Sequence, residues 1–112
     1  MAYDEELSER IRAQLEGESG LSEKRMFGGL AFLIDGNMAC GVNKTALVVR
    51  FDPAIHADVL AEPGARDFDL SPRPMKGWAC VDPDGYRTDA DLERWVERGL
   101  SFARGLPPSS RR

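Results

Sequence analysis

The chain has 112 residues, 42% of them hydrophobic and 30% charged, with a formal net charge of -4. That length builds one domain around a single core without disulfide staples, and the acidic balance argues against bulk electrostatic capture of nucleic acid. No apolar run approaches a membrane span, and the start Met1-Ala2-Tyr3-Asp4-Glu5-Glu6 is the reverse of a basic signal peptide, so a cytoplasmic protein is expected.

In chain order, Asp4 to Leu15 reads as an amphipathic helix, with Leu7, Ile11 and Leu15 on one face. Gly17 and Gly20 end it. A meander follows: a strand begins at Arg25 to Phe27 and continues after Gly28-Gly29 as Leu30 to Ile34. Asp35-Gly36 is a two-residue hairpin turn, because glycine accepts the positive φ that such a turn needs. Met38 to Val42 returns antiparallel, and Thr45 to Arg50 makes a further strand rich in β-branched residues.

Asp52-Pro53 is an N-cap with proline at the first helical position, predicting a helix from Pro53 to Ala61. A short strand is expected near Asp67 to Leu70, and another from Gly77 to Val81 after the extended Ser71-Pro72-Arg73-Pro74. Asp82-Pro83-Asp84-Gly85 is a turn. Thr88 with Asp91 then caps a helix whose buried stripe is Leu92, Trp95, Val96, Gly99, Leu100, Ala103 and Leu106. The order α-βββ-α-ββ-α predicts an α+β fold: an antiparallel sheet of about five strands with helices on one face. A single domain is expected over 1–112, with its core at about 3–106 and a frayed tail at 107–112.

Neither a catalytic constellation nor a metal site follows from these residues. His56, the one histidine, has no serine or cysteine placed as its nucleophile and is expected to face solvent. Cys40 and Cys80 fit no zinc or redox spacing and read as small buried hydrophobes; a disulfide would need their strands to be neighbours. Asp82, Asp84, Asp89 and Asp91 lack the EF-hand pattern and serve a turn and a helix cap. No cofactor is expected. Gly28-Gly29 precedes a strand rather than a helix, so a bulge or close backbone approach explains it better than phosphate binding.

Two segments share base, methionine, glycine and aromatic: Arg25-Met26-Phe27-Gly28-Gly29 and Met75-Lys76-Gly77-Trp78. Were they to meet, Arg25 and Lys76 would cap a patch of soft methionines and rings suited to adaptable protein contacts or to an anionic ligand. The competing reading makes Met26, Phe27, Met75 and Trp78 core, with the bases reaching past them to water.

The stretches Arg25 to Phe32, Asn37 to Val42 and Arg73 to Trp78, in this order and at these separations, look like the N-terminal domain of the TfoX/Sxy competence-regulator family. The resemblance runs from about Tyr3 to Leu106. It implies a fold similar to that of type III secretion chaperones, which are small α+β dimers that bind polypeptide. The expected function is therefore a non-enzymatic regulatory or protein-interaction domain, with a protein partner or a second copy of the chain, no membrane, and nucleic acid disfavoured. The alternatives are an anionic-ligand binder or unrecognised enzyme using the Arg25/Lys76 surface, and nucleic-acid binding through Lys24, Arg25, Arg66, Arg73 and Lys76.

Overall fold

The computed structural model describes residues 4–26, 28–69 and 75–107. Helix α1 covers Glu5–Leu15, and the Asp4 carboxylate caps it by accepting the Leu7 N–H at 3.1 Å. Its Leu7, Ile11 and Leu15 are buried, as the fourfold spacing requires. Strands β1 (Leu21–Met26), β2 (Gly29–Ile34), β3 (Asn37–Asn43) and β4 (Ala46–Arg50) form a meander of antiparallel pairs. Asp35 and Gly36 both take positive φ, 51° and 85°, so the β2–β3 turn has the hairpin geometry expected of Asp-Gly.

A single 3-10 turn at Pro53–Ile55, capped by Asp52, leads into α2 (His56–Leu60). Strands β5 (Ala65–Asp67) and β6 (Trp78–Val81) are followed by α3 (Asp89–Arg104), where the Thr88 hydroxyl accepts the Asp91 N–H. The six strands form one sheet in the order β1-β2-β3-β4-β6-β5. This is the expected α+β layer arrangement with one strand more. The extra strand is β1: Gly28-Gly29 turns the chain back on itself instead of interrupting a single strand. The short strand also lies earlier than expected, at Ala65–Asp67, while Leu70, the whole of Ser71 to Pro74 and the tail beyond Pro107 lie outside the described residues.

The register sorts side chains to two faces. Leu30, Phe32, Ile34, Cys40, Val42, Leu47, Val49, Ala79 and Val81 form the main core with α1 and α3. Ala31, Met38, Ala46, Val48 and Cys80 share a smaller cluster with Phe68, against which Met75 and Trp78 pack. Cys40 and Cys80 therefore lie on opposite faces, with β4 between their strands, and both are free thiols.

Helix α3 lies very close to β3. Ala39 is the extra residue where the β2–β3 register shifts, and a Cβ added at Gly99 would fall 2.2 Å from the Ala39 carbonyl oxygen. Trp95 is fully buried beside it, donating its indole N–H to the Gly85 carbonyl at 3.0 Å. Glu62 anchors the outer side of α3 through Arg94 and Arg98. Burial acts to raise the Glu62 carboxyl, but hydrogen bonds and charge from both arginines outweigh it and hold the group below the usual range.

In an exposed helix, Gly→Ala stabilises by about 1 kcal/mol. Gly99→Ala is expected to do the opposite, destabilising by about 1 to 3 kcal/mol, because backbone must move to admit the methyl. Gly105→Ala, whose added Cβ meets only ordinary contacts at 3.5 Å and beyond, is the matched control. Thermal melts of the two variants check the reversal of sign.

Candidate functional site

The two motifs with shared composition occupy different parts of the sheet. Arg25 lies on β1 and Trp78 on β6, so β2, β3 and β4 stand between them. Four inter-strand steps of about 4.8 Å put roughly 19 Å across the sheet between the two strands. The joint Arg25/Lys76 surface is thus not formed. Within the first motif, Arg25 and Met26 are exposed, Met26 at 37%, and Phe27 lies outside the described residues. Gly28 sits in the β1–β2 turn. Gly29 is buried where an added Cβ would strike the Val42 carbonyl, so close backbone approach is its role.

The second motif is held in place from several sides. Gly77 takes φ +88°, and an added Cβ would sit 2.8 Å from the Phe51 carbonyl oxygen. Its carbonyl accepts the Phe51 N–H at 2.8 Å, extending the β4–β6 ladder by one pair. Its own N–H donates to His56 Nδ1 at 3.1 Å. That bond places the ring proton on Nε2, which faces Asp67 Oδ1 at 3.3 Å. The His56 side chain is only 16% exposed and stacks on Phe51 at 5.9 Å between centroids. It is a structural clasp rather than the solvent-facing residue expected on a short helix. Only a tertiary contact reveals this, since Gly77 is distant in sequence.

Met75 and Trp78 are half-buried on the second-face cluster, with the Trp78 ring 5.4 Å from Phe68, while Lys76 is exposed. Beside Trp78, through their register pairing, stands Arg50 at the end of β4. Its guanidinium carbon is 5.2 Å from the Trp78 centroid and 5.3 Å from that of Phe102 on α3, both within the range of cation–π attraction. Burial pulls the Arg50 pKa below its usual value. Phe102 also lines a groove of about 640 Å³, together with Phe51, Ile55, Arg98 and Leu106. The sequence flagged neither Arg50 nor Phe102. The available signal was an arginine ending a β-branched strand.

Among the described residues, no group of three or more His, Cys, Asp or Glu could hold a metal ion. The acidic side chains of the Asp82–Asp91 stretch serve ion pairs: Asp82 with Arg66, Asp84 with Arg87, Asp89 with Arg10, and Asp91 with Arg94. Burial pushes the Cys40 thiol up to about 12 and raises Cys80 as well. Burial likewise pushes Tyr86 up to about 12, and its hydroxyl donates to the Thr45 carbonyl at 2.5 Å.

These shifts have a definite sign. An exposed thiol ionises near 9.0 and an exposed phenol near 10.0, whereas the folded groups keep their protons to about 12. The unfolded chain therefore loses protons first, and stability falls as pH rises from about 9 towards 12. Equilibrium unfolding across that range is expected to show this loss, reduced in Cys40→Ala. At pH 8, native-state iodoacetamide labelling of Cys40 is expected to be negligible beside labelling in denaturant, read by mass spectrometry.

A family model described as the TfoX N-terminal domain matches residues 13–103. No curated protein matches the chain.

Proposed function

Because the chain belongs to the TfoX N-terminal domain family, we propose that it is a non-enzymatic regulatory domain of the cytoplasm that works by binding another polypeptide. The observation that carries this reading is the corner built by Met75, Lys76, Trp78 and Arg50. Half-buried thioether and indole surface stands there beside two cations, on a segment fixed by the Gly77–His56 and Gly77–Phe51 hydrogen bonds. Soft, polarizable and cationic groups on a rigid base suit adaptable protein recognition. The partner is another protein or a second copy of the chain.

Further features support binding over chemistry. Both His56 ring nitrogens are engaged in the fold, and both thiols are buried with their pKa raised. Among the described residues, no helix is long and apolar enough to cross a membrane. Nucleic-acid recognition is disfavoured by the net charge of -4 and by the pairing of Arg10, Arg12, Arg66, Arg87, Arg94, Arg98 and Arg104 with carboxylates.

The test is capture of partners from native lysate by the tagged chain, identified by mass spectrometry. Wild type is compared with Met75→Ala/Lys76→Ala and with Arg25→Ala, each verified as folded. A partner retained by wild type and Arg25→Ala but lost from the double variant is the expected result. Equal capture by all three moves the interface elsewhere, and capture of nothing by wild type removes the polypeptide-binding reading.

A further inference from the structure

We propose that Arg50 is a receptor for an oxyanion, a carboxylate or phosphate group bound at the edge of its guanidinium between Trp78 and Phe102. Both rings lie within cation–π range of the guanidinium carbon, at 5.2 and 5.3 Å, and neither supplies an oxygen acceptor for its five N–H donors. Among the described residues, no carboxylate, carbonyl or hydroxyl accepts from them. Nor are its nitrogens among the buried polar atoms without a partner, a set that includes Arg98 Nη1; they remain open to solvent.

This arrangement is unlike that of the other arginines with restricted exposure. Arg10 pairs with Asp89 at 3.2 Å, Arg12 with Glu23 at 2.7 Å and Arg98 with Glu62 at 2.9 Å. Arg50 alone among the half-buried arginines described has no carboxylate. Its charge is partly desolvated and two rings lie against it, which lowers the side-chain entropy that binding would otherwise cost. A planar fork held in this way matches the two oxygens of a carboxylate or phosphate. Lys76, two residues before Trp78, adds a second cation to the same corner. The site refines the binding corner described above, and it rests on that reading only for the anion's source in a polypeptide partner.

The full chain is titrated with sodium acetate, sodium phosphate and a capped tetraglutamate peptide, at ionic strength held constant with sodium chloride. The readouts are tryptophan fluorescence and the assigned Arg50 Nε–H resonance. A saturable shift of that resonance with at least one probe is expected, with affinity weakened at least tenfold in Arg50→Gln and unchanged in Arg25→Gln. Arg50→Lys, which keeps the charge but loses the planar fork, is expected to weaken binding nearly as much.

Tighter binding of tetraglutamate than of acetate would place the oxyanion on an acidic polypeptide. A preference for phosphate without a gain from tetraglutamate would place it on a small phosphorylated molecule. No saturable Arg50 shift with any of the three probes overturns the proposal, as does equal affinity in Arg50→Gln. Because the resonance is read in wild type, a variant that fails to fold leaves the proposal testable. Anion binding without partner capture would remove the polypeptide reading alone, and capture without anion binding would remove this one alone.

Discussion

The approach of α3 to the sheet at Gly99 is the constraint on which the other placements depend. A residue without a side chain lies over the Ala39 carbonyl at the β3 irregularity, and that sets the height of the whole helix. At that height Trp95 reaches the Gly85 carbonyl, and Leu92, Val96, Leu100 and Ala103 enter the main core. The same placement carries Phe102 to the end of β4, where it closes one side of the Arg50 guanidinium. A close-packing condition in the interior thus determines a feature of the surface.

The sheet is a partition as much as a platform. Its helical side holds the large core, while the other side carries a small cluster to which Phe68, Met75 and Trp78 contribute. Those last residues come from the chain around β6, and two interactions hold it: the Phe51–Gly77 ladder bond and the His56 ring. The candidate corner therefore draws on β4, β6, α2 and α3 together. Its rigidity comes from hydrogen bonds and stacked rings rather than from deep burial.

Much of the fold is legible from local chemistry. The Asp52 and Thr88 caps, the Asp35-Gly36 turn and the stripe from Leu92 to Ala103 each express a short-range rule, and the structure contains all of them. The β1 strand escapes such rules. Leu21-Ser22-Glu23-Lys24-Arg25-Met26 is an edge strand without apolar alternation, and most of its residues are exposed. The corner was less legible than the fold. Two segments of like composition do not reveal the strand order between them, and that order keeps Arg25 apart from Trp78. His56 and Arg50 acquire their surroundings from residues distant in the chain, which spacing alone does not encode.

The sheet's two margins are unequal. On one side β1 offers six residues of open strand edge; on the other β5 offers three. Joining β1 to β1 about a two-fold axis would use up the long margin of both molecules and leave only the short β5 margins free. Joining β1 to β5 would leave a free margin at each end and permit an endless ribbon, but only three residues of β5 would support each junction. The mixed charges of Glu23, Lys24 and Arg25 on the long margin further penalise a misregistered neighbour, since like charges would then face each other. Of the two margins, β1 is thus the one whose pairing with its own copy would leave the least strand edge exposed.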